Sequence, residues 1–106
     1  MTYSIFHTTN VDGRRKLVAD GLGARAIRMN QFDNEPLQAG KEHDELGSGQ
    51  EEIYTAVAGS GVIRVAGEEV PLEPGVYVLV SPDEVRQVVA GEQGLSYVIV
   101  GARVTE

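Results

Sequence analysis

Residues 40–59 read GKEHDELGSGQEEIYTAVAG, and the change of character inside this stretch decides the fold class. Up to Gly49 it is polar and glycine-rich, while Glu52 to Ala58 reads as a strand. Working back, Asn34 to Gly49 carries Pro36, Gly40, Gly47 and Gly49 and reads as one long loop. Loops of that length in a small domain tend to carry function. Before it, Ala24 to Phe32 reads as a strand, Lys16 to Ala19 as an extended piece or one helical turn, Asn10 to Gly13 as a turn, and Tyr3 to Phe6 as a short first strand. Working forward, Gly59, Ser60 and Gly61 turn into a strand from Val62 to Ala66. A hairpin turn at Gly67 to Glu69 leads to Val70, Pro71 and Leu72. Pro74 and Gly75 turn into the apolar run Val76 to Val80, and Ser81 to Glu84 into Val85 to Ala90. Gly91 to Gly94 then leads to Leu95 to Val100. Short strands at this spacing, with 13 glycines as punctuation and no apolar stripe of helical period, predict an all-β sandwich or barrel.

The chain has 106 residues, the size of one domain, and its 42% hydrophobic and 24% charged content is that of an ordinary globular module. No apolar run approaches the roughly 20 residues of a membrane helix. The first residues lack the basic and apolar regions of a secretory signal. Cysteine is absent, which excludes disulfides and thiolate metal sites and, with the missing signal, leads us to expect a cytoplasmic protein. A net charge of −7 argues against nucleic acid as partner, because that binding rests on cations neutralising phosphates. The short basic cluster Arg14, Arg15 and Lys16 reads as a solvated turn.

Two frames of spacing hold together. Gly40, five residues, Leu46-x-Ser48, three residues, Glu52, six residues and Gly59 form the first. Gly75, five residues, Ser81-x-Asp83, two residues and Arg86 form the second, with Pro82 between Ser81 and Asp83. Both resemble the motifs of the cupin family, over about residues 40–101. The first motif there is a glycine, five residues, His-x-His, three or four residues, a glutamate, six residues and a glycine. The second is a glycine, five residues, Pro-x-Gly, two residues and a histidine. The resemblance implies a single cupin domain over residues 1–106, with motif 1 at about 40–59 and motif 2 at about 75–90. It also implies a double-stranded β-helix, a jelly-roll-like barrel with a pocket at one mouth.

In that family three histidines and one carboxylate hold a transition metal. The corresponding positions here are Leu46, Ser48, Glu52 and Arg86, so the resemblance implies a dismantled metal site and no cofactor. Leucine cannot ligate, serine ligates poorly and arginine remains a cation. Two alternatives keep a divalent transition metal: a loop insertion that brings His43, with Asp44 or Glu45, beside Glu52, and an approach of His7 from the N-terminal strand. His43 as a partly exposed loop histidine is the plain reading. If the barrel geometry holds, Arg86 meets Glu52 in a bidentate pair, either as an ion pair alone or as a holder of an anionic or carbonyl-bearing ligand. Residues two apart on a strand share a face, so Tyr54 joins Glu52 as phenol donor or as core aromatic. Tyr77, Tyr97 and Met29 read as core or interface residues. Neither a nucleophile elbow nor a phosphate loop is present.

The candidate ligand-binding residues are therefore Glu52, Arg86, Tyr54, His43 and Ser48, with His43 and Glu52 the ligands of any metal. The expected function is binding of a small polar ligand in the barrel. The alternative is a small enzyme (an isomerase, epimerase, lyase or metal enzyme) using Glu52 with His43 or Tyr54. A homodimer is expected, paired through residues 1–32 or the Tyr97 to Val100 strand, because an open barrel leaves edges to cover.

Overall fold

Two long strands organise the molecule, whose computed structural model describes residues 2–105. After a 3-10 turn at Thr8–Asn10 come β1 (Arg15–Lys16), the short helix α1 (Val18–Leu22) and β2 (Arg28–Asn34). Then follow β3 (Gln50–Val65), β4 (Glu68–Leu72), β5 (Tyr77–Val80) and β6 (Arg86–Arg103). All pairings are antiparallel, in the order β1-β2-β6-β3-β4, with β5 on the same side of β3 as β4 but nearer its start. β3 and β6 pair along nearly their whole lengths, from Gln50↔Arg103 to Val65↔Arg86.

Gly59 to Gly61 and Gly91 to Gly94 are not turns between strands, as the glycine punctuation suggested, but bends within β3 and β6. Register shifts fall between Ala56 and Ala58 and between Gly59 and Gly61. Gly59 has φ of 75°, and a Cβ on it would collide with the Gly94 carbonyl. A Cβ on Gly61 would strike the Val89 carbonyl. Only glycine lets the two backbones cross this closely. The bulges also switch parity: Glu52, Tyr54 and Ala56 are buried before them and Ile63 after them. The same face of the bent sheet thus stays inward on both arms. The β3–β4 hairpin turns on Ala66 and Gly67, both left-handed, one residue earlier than expected.

The inner face packs Tyr54, Ala56, Ile63, Leu72, Val80, Val88, Ala90, Leu95 and Tyr97 into one core. Tyr3 to Phe6 forms no strand; Ser4 donates a hydrogen bond to the Leu22 carbonyl beside α1. β2 begins four residues later than Ala24. The expected long loop is partly tied to the sheet, through bridges Ala39↔Val89 and His43↔Arg86. Among the described residues no helix is long and apolar enough to cross a membrane.

Candidate functional site

At one end of the inner face the core gives way to a cavity of about 560 Å³. Period-two alternation on β3 turns Glu52 and Tyr54 toward it. Arg86 opens β6, and its backbone exchanges both hydrogen bonds with His43 (3.0 and 2.9 Å). Its side chain runs inward, 1% exposed, and every nitrogen has a partner. Nε donates to the Tyr54 hydroxyl (3.1 Å), Nη2 to Glu52 Oε1 (3.1 Å), and Nη1 to the carbonyls of Ser81 (3.3 Å) and Glu84 (2.6 Å). Tyr54 in turn donates to the same Glu52 Oε1 (3.0 Å). The contact between Arg86 and Glu52 is therefore through one carboxylate oxygen, not the bidentate pair expected. It leaves Oε2 outside all the hydrogen bonds, facing the cavity that Glu52 lines.

The electrostatics follow from this packing. Burial alone would lower the Arg86 pKa, but bonds to Tyr54 and Glu52 outweigh it, so the guanidinium stays charged throughout the working range. Burial, reinforced by the Glu52 charge, pushes the Tyr54 phenol well above its ordinary value of 10.0 against the opposing pull of Arg86. Tyr54 is thus a neutral donor. Tyr97 is likewise pushed up by burial, with Arg14 and Asn34 opposing.

On the loop, His43 Nδ1 lies 2.9 Å from Glu45 Oε2 and 3.2 Å from the Asp44 carbonyl. Both neighbours are acceptors, so Nδ1 is the donor of that contact, and Nε2 has no protein partner among the described residues. Ser48 does not line the cavity. Its hydroxyl donates to Glu45 Oε1 (2.6 Å) and accepts from the Gln50 amide (3.3 Å), so it holds Glu45 in place from behind. Leu46 is exposed. The two positions that motif spacing assigned to the barrel are thus outside it, and His43-x-Glu45, three residues earlier, faces the cavity. Backbone pairing of His43 with Arg86 imposes that shift.

His43, Glu45 and Glu52 offer donor atoms that all lie within 4.8 Å of one another. One nitrogen and two carboxylate oxygens suit a borderline divalent ion, and the 2.9 Å between His43 Nδ1 and Glu45 Oε2 matches adjacent donors each about 2.1 Å from an ion that would displace the Nδ1 proton. The residues therefore fit a three-donor site, with the Arg86 cation bonded to one of its members, Glu52.

Sequence reasoning missed the cavity's cationic wall. Arg14 and Arg15, taken for a solvated turn, line it with Arg28 and Lys41. Arg14 lies 5.0 Å over the Phe32 ring and donates to Asn34 Oδ1 (2.6 Å), while Phe32 stacks on Tyr97 at 5.3 Å. Lys16 points the other way, to Asp33 (2.8 Å). Strand alternation could not have found this wall, because the adjacent Arg14 and Arg15 both line it while Lys16 does not.

No family model matches the chain, and no curated protein matches it. Solved structures do. A cupin protein from Bacteroides fragilis superposes with a TM-score of 0.84 at 19% identity, over 100% of this chain and 88% of that one. KdgF from Halomonas sp. gives 0.77 at 18%, over 99% and 97%. A sugar phosphate isomerase from a cupin superfamily, from Silicibacter pomeroyi, gives 0.71 at 20%, over 89% and 67%. The fold is that of a small cupin barrel.

Proposed function

We propose that this cupin-fold chain binds a small polar ligand in its barrel without a transition metal. The observation that carries the reading is the state of Arg86. A fully partnered guanidinium, at the position where the motif resemblance puts the fourth ligand, pins Glu52 and Tyr54, while Glu52 Oε2, His43 and Glu45 remain at the cavity as hydrogen-bonding groups. In this reading Arg86 positions the site and does not touch the ligand, and Ser48 acts through Glu45. Metal content of untagged protein, measured beside native mass spectrometry for a retained small molecule, tests the proposal. We expect no stoichiometric metal. Near-stoichiometric zinc, iron, manganese or nickel that disappears in Glu52→Ala would overturn it.

A second reading is favoured by the His43–Glu45 contact, which orients the ring as a carboxylate orients a catalytic imidazole. Here the chain is an isomerase, epimerase or lyase with Glu52 or His43 as base and neutral Tyr54 as donor. A bound divalent ion on His43, Glu45 and Glu52 would add Lewis-acid chemistry. Turnover of a substrate, abolished in Glu52→Gln, would favour this reading over simple binding.

The homodimer remains part of the proposal, by a different route. Tyr97 to Val100 is interior, flanked by β2 and β3, and offers no edge. An apolar surface is free on the outer face of β3 and β5, where Ile53, Leu79 and Tyr77 are 41%, 62% and 72% exposed, and residues 1–32 keep Tyr3, Ile5 and Ile27 exposed as well.

A further inference from the structure

The chain is acidic, yet its cations converge on the cavity. Five of the nine lysines and arginines line it (Arg14, Arg15, Arg28, Lys41 and Arg86), with four of the sixteen carboxylates; the rest of the chain carries four cations against twelve carboxylates. Two of those five are neutralised in place, Arg28 by Asp20 and Arg86 by Glu52. Among the described residues Arg14, Arg15 and Lys41 form no ion pair. They also come from two segments that meet: a Cβ on Gly40, next to Lys41, would lie 3.9 Å from Arg14 Nη1. Unpaired like charges gathered in a concavity are costly to keep together unless an anion visits them, and such a wall raises the local concentration of anions.

The groups around Glu52 have the opposite character. Glu52 Oε2 and Glu45 are acceptors and His43 lies beside them, so an anionic group is repelled by the carboxylates and a hydroxyl, which can donate or accept, is welcomed. Because Arg86 already offsets the Glu52 charge, neutral hydroxyl donors suit this region better than an ammonium group. Resting on the polar-ligand reading above, we infer that the ligand is a polyhydroxylated small anion, a sugar acid or sugar phosphate. Its hydroxyls meet Glu52, His43 and Glu45, and its anionic group meets Arg14, Arg15 and Lys41.

Titration calorimetry of the full chain with D-glucuronate, D-glucose 6-phosphate, D-glucose, inorganic phosphate and L-glutamine tests this and separates the two anion sources. We expect at least one sugar anion to bind about tenfold or more tighter than glucose, a preference that 0.5 M salt erodes by screening. In the exposed-residue double variant Arg15→Ala/Lys41→Ala the ratio of sugar anion to glucose should fall toward one. Which sugar anion wins identifies carboxylate or phosphate as the group held. Glucose bound as tightly as both sugar anions would overturn the inference and leave the polar-ligand reading standing. Preference for glutamine, inorganic phosphate binding as tightly as either sugar anion, or no binding of either sugar anion would overturn it as well. Failure of the polar-ligand reading itself shows separately, as metal lost with Glu52→Ala.

Discussion

Arg86 carries the largest local consequence. Removing its guanidinium strands the Glu52 carboxylate in a nearly closed environment and takes the donor from the Tyr54 oxygen. Breaking a buried pair from one side costs about 3–5 kcal/mol, so Arg86→Met should lower the unfolding free energy by that amount, read as a lower urea midpoint. Arg86→Lys should recover only part, because an ammonium cannot span Tyr54, Glu52, Ser81 and Glu84 in one plane. A variant as stable as the parent would refute this role. The tyrosines give a second test. With the Tyr54 and Tyr97 phenols both raised by burial, the unfolded chain releases protons near pH 10 that the folded chain keeps. The tyrosine contribution should be constant below that pH, and stability should fall above it, read as urea midpoints at pH 8 and 11. Glu52, Tyr54 and Arg86 were legible in the sequence because strand alternation and motif spacing are local. Ser48 was misplaced because a loop between strands has no period to count by.

At the scale of elements, the bends in β3 and β6 decide the barrel. Gly59→Ala meets both a left-handed φ and the Gly94 carbonyl, and should cost about 3 kcal/mol or more. Gly67→Ala shares the φ but opens onto free space, and should cost only about 1–2 kcal/mol. Equal losses in denaturant unfolding would contradict the close crossing. β1 is held to β2 partly by Lys16 and Asp33. Partial burial pushes the Asp33 carboxyl up, but hydrogen bonds with Lys16, Gln31 and Ser96 outweigh it and hold its pKa below 3.8. A depressed carboxylate stabilises above its unfolded pKa and loses that contribution as pH falls through the folded value. The melting-temperature gap between parent and Asp33→Asn should therefore be full at pH 6–7 and close as acid is added below about pH 4, a window set by the ordinary carboxylate value. A gap constant across that range would remove the ion pair from the account. Glycine marked where the chain changes direction. Whether a glycine ends a strand or bends it depends on the partner strand, which is distant in sequence.

For the whole molecule, the apolar outer face of β3 and β5 is the basis for a second copy. Ile53 sits opposite Leu79, and Thr55 opposite Tyr77, so the exposed residues form one continuous patch. Light scattering at micromolar concentration should give twice the chain mass, and Tyr77→Glu/Leu79→Glu should halve it. A monomeric parent would leave that patch without its proposed partner.

By itself the sequence determined the all-β class, the strands of the second half and the pairing of Glu52 with Tyr54 on one face. These follow from period-two alternation and turn chemistry, which act over a few residues. Through motif resemblance it also pointed to the barrel. Only the tertiary structure decided that β3 and β6 run unbroken, that His43 and Glu45 rather than Leu46 and Ser48 face the cavity, and that Arg14, Arg15 and Lys41 gather at one wall. Those outcomes depend on backbone hydrogen bonds between segments tens of residues apart, such as His43 with Arg86, and no local pattern encodes which loop residue a distant strand will capture.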